Sequence, residues 1–413
     1  MTKVLWTDFK SDHSDTRAHW HILFRYGWYI PLCYRWLIPF RYAWHISFRC
    51  GWHIDSVAIN SLLLSAPRRI GKSSLAKRLI EDKKAQGWKC VYIDLEQTTT
   101  EDGFLNLIIE HFERNHVWRQ ITDGMLQGAR AILDRINKIS IGPVGFDLSS
   151  PEKKEDLYKS LKELIRHDEE TFIVVDELTL FLGVLLRSDS GEEKVSFILN
   201  WLRSLRQVAG TKVRWLFCGS VGLKNFTASL NLSYAINDLT DFRLDELTPE
   251  EARGLMKGLC QGEGMDMDEE SIIYALEKLH WYIPYFIQIL FSKLRDNYTG
   301  SVSKEDIDMA YKQLCSESYL NTWSERLVEY REMERPARLI LNGLSARKSG
   351  LRRETLLGIL MTGQDPSHAG ETDLLLSKVL EMLENDGYLL RMGSVRSFRS
   401  PLLRDYWYGK FVQ

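Results

Sequence analysis

Four short apolar runs punctuate the first half of the chain: Val57 to Ser65 (VAINSLLLS), Lys89 to Leu95 (KCVYIDL), Phe172 to Val175 (FIVV) and Val213 to Ser220 (VRWLFCGS). Runs of this length and polarity predict strands buried on both faces, as in a parallel sheet. After the first run, Leu75-Ala76-Lys77-Arg78-Leu79-Ile80 continues at helical spacing, and the second run follows that helix. Strand, helix and strand in succession is βαβ winding, so the pattern predicts an α/β fold around a parallel sheet.

Past the fourth run the pattern is helical. Thr248-Pro249-Glu250-Glu251 reads as a helix start, with Thr as cap, Pro at the first position and acid in the first turn. Helical spacing then runs to about Glu334, and Pro284 in WYIPYF opens another helix. That helix is read either as a lid element aiming groups at a ligand or as a plain helix start in a bundle. Residues 336–413 predict helices over Pro336–Leu344, Arg353–Met361 and Thr372–Glu384, the last closed by Asp386-Gly387. Tyr388–Met392 and Val395–Arg399 flank Gly393-Ser394 as a hairpin, and this order is a winged helix. Between Trp118 and Glu170 an extra helical stretch, interrupted by ISIGPVGFDL (139–148), is read as an insertion in the core.

The first 55 residues have another rhythm. Trp20, Trp28, Trp36, Trp44 and Trp52 recur every eight residues, in octads such as FRYGWYIP and FRYAWHIS. Eight residues overshoot two helical turns by about 80°, and Pro31 and Pro39 oppose a helix as well. The segment is read either as an aromatic stacking or membrane-surface arm or as a translated short tandem repeat outside the folded core. The second reading is preferred, because known repeat architectures use units of roughly 20–50 residues.

Composition narrows the rest. With 413 residues, 44% hydrophobic and 27% charged, the chain is an ordinary globular mix of two or three domains. The divisions read from the pattern are 1–55, 56–247, 248–334 and 335–413. A net charge of −2 excludes a bulk polycation, so nucleic-acid contact would need a local basic patch. The six cysteines form no CxxC pair, and Cys90 and Cys218 fall inside apolar runs, which argues against a disulfide framework or zinc site. Met1 to Lys10 carries Asp8 and lacks an apolar core, and no uncharged apolar stretch reaches the roughly 18–20 residues of a membrane span. A cytoplasmic protein with no membrane partner is the expectation.

The candidate chemistry sits where the first strand meets its helix. Ala66-Pro67-Arg68-Arg69-Ile70-Gly71-Lys72-Ser73-Ser74 is a loop between a buried strand and a helix. Phosphate oxygens need backbone N–H groups converging at a positive helix end, and such a loop supplies them. Gly71 permits close backbone approach, Lys72 can reach β- and γ-phosphates, and the Ser73 hydroxyl can ligate Mg²⁺. Ala66 stands where the GxxxxGK[ST] pattern has its first glycine, which makes φ > 0 harder there. Arg68 and Arg69 add positive charge beside the anion. A site of this kind needs an acid at the end of a second strand, and Asp176-Glu177 after Phe172–Val175 fits. Asp176 is expected to hold Mg²⁺ through water and Glu177 to polarise the attacking water. Ser220, at the end of the fourth run, is placed to sense a γ-phosphate or orient water.

APRRIGKSSL (66–75), FIVVDEL (172–178), FCGSVGL (217–223), LDELTPEEARGLM (244–256), WYIPYFIQIL (281–290) and SFRSPLLRDYW (397–407) together resemble the AAA-related, signal-transducing P-loop ATPases, above all the archaeal-type family with PRRxGK[ST] loops. The resemblance covers about residues 57–413. It implies a five-stranded parallel core, a helical lid and a C-terminal winged helix, with ATP and Mg²⁺ bound and hydrolysis slow or regulated. An upstream Gly-Arg-Glu segment that packs near the adenine in such families is absent, and the octads stand in its place.

The functions in play are an ATP-driven switch acting on a protein partner, a DNA-associated ATPase working through the winged helix, and a nucleotide-binding module without hydrolysis. Arg391, Arg396, Arg399 and Arg404, with Arg347, Lys348, Arg352 and Arg353, make a modest basic patch. The third helix of the winged unit carries Glu371, Asp373, Glu381 and Glu384 against Lys378, and phosphates would repel it. A protein partner or self-association is therefore preferred over DNA. An arginine finger is expected if the protein assembles, with Arg203, Arg206, Arg214 and Arg243 as candidates.

Overall fold

The computed structural model describes residues 60–117, 151–219, 222–297, 300–362 and 366–413. The octads, residues 118–150 of the expected insertion, and Ser220 lie outside the described residues.

The apolar runs become strands β1 (Leu62–Ser65), β2 (Lys89–Asp94), β3 (Thr171–Asp176) and β4 (Val213–Gly219). A short β5 (Thr240–Arg243) completes a five-stranded sheet in the order β2-β3-β4-β1-β5, and every neighbouring pair is parallel. Alternation across the pleat then builds two faces. Leu62 and Leu64 of β1, with Phe172, Val174, Leu216 and Cys218, pack on Ala76, Leu79 and Ile80 of α1 (Lys72–Ala85). Leu63, Ile173, Val175, Trp215 and Phe217 face the other way. That face is covered by α2 (Glu101–Arg114), α3 (Pro151–Leu164), α4 (Leu178–Leu185) and α5 (Gly191–Arg206). Helix α6 (Leu223–Ser229) leads toward the β5 edge.

Helices α7 (Pro249–Glu263), α8 (Glu269–Leu279), α9 (Pro284–Asn297) and α10 (Lys304–Ser316) follow the sheet. Thr248 caps α7 in a complete capping box: its side chain accepts from the Glu251 N–H, and the Glu251 carboxylate accepts from the Thr248 N–H. A short helix α11 (Asn321–Glu325) and a 3₁₀ stretch over Arg326–Met333 lead into α12 (Glu334–Ser345).

The C-terminal unit continues with β6 (Leu351–Arg352), α13 (Arg353–Met361), α14 (Ala369–Asn385), β7 (Leu389–Met392), β8 (Val395–Phe398) and α15 (Pro401–Phe411). The three strands pair antiparallel in the order β6-β8-β7. This arrangement is consistent with a winged helix. Its core is continuous with that of the preceding helices. Trp281 meets Trp323, Trp323 meets Tyr388, and Tyr388 meets Trp407 in edge-on contacts with ring centroids 5.8, 5.2 and 6.5 Å apart.

Half of the expected basic patch is spent on internal contacts. Arg396 is buried on Glu384, Arg353 bonds Asp373, Arg404 bonds Asp405, and Arg399 lies over the Trp281 ring. Arg347, Lys348, Arg352 and Arg391 remain exposed. Among the described residues no helix is long and apolar enough to cross a membrane.

Candidate functional site

The loop from Ala66 to Gly71 leaves β1 at the carboxyl edge of the sheet and enters α1. Positive φ falls on Arg69 (66°) and Gly71 (109°), and Ala66 is spared it. The missing first glycine thus carries no backbone strain. The Ala66 methyl instead joins Ile70 in the apolar cluster formed by the later helices. Gly71, the residue before α1, has open space where a Cβ would sit, so its left-handed backbone and not crowding is what favours glycine there.

Lys72 is buried, and its ammonium donates back to the loop carbonyls of Ala66 at 2.9 Å and Pro67 at 3.0 Å. Burial pulls its pKa down to about 8; the Glu177 carboxylate opposes this and the Arg326 guanidinium adds to it. Arg69 turns away from the loop interior, its guanidinium 4.7 Å from the centre of the Tyr285 ring at the start of α9. Arg68 is half-buried and its charge reaches the buried Asp386 carboxyl. Ser73 and Ser74 lie on the exposed first turn of α1.

The second corner meets the first. Asp176 ends β3 almost fully buried, at 2% exposure, yet β4 lies between β3 and β1 in the sheet. The start of α1 spans that gap: Ser73 Oγ donates to Asp176 Oδ2 at 2.7 Å. The Glu177 N–H donates to Asp176 Oδ1 at 3.0 Å. Glu177 itself has φ 53°, ψ 32°, a left-handed conformation unusual for glutamate, at the entry to α4. Its carboxylate lies close enough to act electrostatically on the Lys72 ammonium.

Sequence reasoning missed Tyr92, whose hydroxyl donates to Asp176 Oδ2 at 2.6 Å. It missed Arg326 and Asp386 as well, which form a buried pair at 3.4 Å, with the Tyr330 hydroxyl donating to Asp386 at 2.8 Å. Burial raises the Asp386 carboxyl pKa, against the pull of Arg326. No local pattern marks these residues, because their partners lie far away in sequence.

Of the arginine-finger candidates, Arg206 is locked onto Asp238 and Arg214 bonds the Thr211 and Val213 carbonyls at the amino end of β4. Arg203 lies against Tyr234. Arg243 is exposed at the carboxyl end of β5, in register with Ser65 of β1.

The donor set fits a triphosphate with a hard divalent cation. A buried ammonium, open backbone at a helix start, a serine hydroxyl and a carboxylate are oxygen- and anion-directed groups. One hydroxyl and one carboxylate are enough for Mg²⁺, which keeps several waters and takes few protein ligands.

The parallel sheet with its flanking helices is the α/β fold of P-loop NTPases. A family profile described as an AAA domain matches residues 59–226. The fold is similar to that of a Walker-type ATPase of Pyrococcus abyssi, with a TM-score of 0.53 and 15% identity over 84% of this chain and 90% of that one. The ORC2 protein of Aeropyrum pernix, solved as ADPNP–ADP complexes, matches with a TM-score of 0.47 and 11% identity over 91% and 94%. A point variant of RuvB from Thermotoga maritima matches with a TM-score of 0.41 and 12% identity over 86% and 91%. No curated protein matches the chain. The AAA-domain match supports nucleotide binding.

Proposed function

We propose that the chain is an Mg²⁺-dependent ATPase with slow or regulated turnover, in which hydrolysis drives a conformational switch that acts on a protein partner. The observation that carries this reading is the 2.7 Å bond from Ser73 to Asp176, which joins the helix after the loop to a strand end two positions away in the sheet.

In this reading the triphosphate lies over the backbone amides of Arg68 to Ser74, and Lys72 leaves the loop carbonyls for the β- and γ-phosphates. Ser73 and, through water, Asp176 hold the metal, which supplies charge neutralisation at the phosphates. Glu177 takes the proton of the attacking water. Arg243 is the preferred arginine finger of an assembled form. The proposed division is an ATPase core over 56–247, a lid over 248–334 and a winged helix over 335–413. The partner is taken to be protein because half of the C-terminal basic residues are engaged internally and α14 is acidic. The experiment is ATP binding and turnover of the full chain with and without Mg²⁺; absence of both defeats the reading.

A second reading, DNA association, is favoured only by Arg347, Lys348, Arg352 and Arg391, which stay exposed. Salt-dependent binding to duplex DNA would support it.

Titration of Lys72 gives a prediction. Phosphate needs the charged amine, and the folded site holds its pKa at about 8. ATP affinity is therefore expected to be flat below pH 7 and to fall as pH rises through 8, approaching about tenfold per pH unit. Isothermal titration across pH 6.5–9.5 measures it, and an affinity that stays level to the alkaline end would contradict it.

A further inference from the structure

We propose that Tyr92 is a positioning residue for the Asp176 carboxylate and thereby sets the preference of the site for Mg²⁺. The proposal rests on the ATPase reading above.

The placement follows from register. Asp94 of β2 lies opposite Asp176 of β3, and Tyr92 lies opposite Val174. Tyr92 and Asp176 therefore share one face of the sheet, the α1 face where Val174 is buried and where Ser73 begins its helix. The phenol reaches forward along the strand, and its hydroxyl donates to Asp176 Oδ2 at 2.6 Å. Ser73 Oγ donates to the same oxygen at 2.7 Å, while the Glu177 N–H takes Oδ1 at 3.0 Å. Lengths of about 2.5–2.7 Å are those of charge-assisted O–H···O⁻ bonds, about twice as strong as neutral ones. The ring is fixed in turn: Lys77, one turn along α1 from Ser73, holds its ammonium 5.6 Å from the ring centre.

Two consequences follow. The carboxylate is held in one rotamer before any ligand arrives, so ordering it costs nothing at the binding step. And Oδ2 already carries two short donors, so the carboxylate is disposed to accept from the water shell of a cation and not to enter that shell. Mg²⁺ gives up its waters reluctantly and suits such an outer partner; a cation that takes carboxylate oxygens directly does not gain from it. Partners of this kind, one step behind the ligand set, commonly change metal affinity by about 10–100-fold when removed.

The test uses the full chain with Tyr92→Phe, which keeps the ring and removes one hydroxyl. Tyr311→Phe is the control, because it deletes an equivalent bond, Tyr311 to Asp405 at 3.0 Å, far along the chain from this site. Binding of a fluorescent ATP analogue is titrated in EDTA, then with Mg²⁺ and with Mn²⁺. The expected result is EDTA binding within about twofold of the parent, with Mg²⁺ half-saturation raised by about 10–100-fold. The Mn²⁺ curve should move less, so that discrimination between the ions narrows, and Tyr311→Phe should follow the parent. A Tyr92→Phe protein with the parent's Mg²⁺ curve overturns the proposal, and so does equal weakening in EDTA, which would mark a structural role. If the parent itself shows no metal-dependent tightening, the ATPase reading fails before the tyrosine is reached.

Discussion

Glu177→Gln is expected to lower ATP turnover by about 10²–10⁴-fold, the range typical of a lost general base, while nucleotide binding stays near that of the parent. The amide keeps the size and the hydrogen-bonding reach of the side chain but cannot accept the proton of water. One compensating change is built into the site. The Glu177 carboxylate supports the charge on Lys72, so its removal lowers the Lys72 pKa further and shifts the alkaline fall in affinity to lower pH. Lys72→Ala behaves differently: it deletes the buried ammonium and is expected to abolish detectable binding. Single-turnover kinetics beside equilibrium binding separate the two variants. Turnover undiminished in Glu177→Gln would remove Glu177 from the chemistry, and a parent with binding but no turnover would leave a nucleotide-binding module.

The parts of the fold that could be read from the chain are those whose signal is local. β1, the loop and α1 declare themselves through a buried run, Gly-Lys-Ser and helical spacing in unbroken succession. The acid-bearing end of β3 is equally local, and α13 occupies the expected Arg353–Met361. β5 has Phe242 as its one buried residue, so an edge strand of four residues carries too little pattern to see. β6 is two residues long and exists only through its pairing with β8. α15 hides in a run of aromatic and charged residues whose buried members, Leu402, Leu403, Tyr406 and Trp407, are recognisable once their partners are known. The strain expected at Ala66 fell on Arg69, because the loop's path and not its motif decides where φ turns positive. Tyr92, Arg326 and Asp386 could not be found from sequence, since what makes them matter is burial beside groups from other elements.

Gly387→Ala is expected to destabilise the protein by about 2–5 kcal/mol, summing the left-handed backbone cost and overpacking. Gly387 ends α14 at φ 84°, and a Cβ there would lie 2.8 Å from Pro67 Cβ and 2.8 Å from the Trp281 ring. The C-terminal unit thus touches the loop between β1 and α1, at a point where only a missing side chain permits the approach. The same corner carries Asp386, buried against Arg326 and Tyr330, which ties the end of α14 to the 3₁₀ stretch before α12. Gly393→Ala supplies the comparison. It has φ 60° and open space around the added methyl, so it bears the backbone cost alone. The difference between the two variants in urea midpoint isolates the contact with Pro67 and Trp281. Because Pro67 also offers Lys72 a carbonyl, ATP affinity is expected to fall in Gly387→Ala and to hold in Gly393→Ala. Equal midpoints and equal affinities for the two variants would show that the C-terminal corner does not brace the loop.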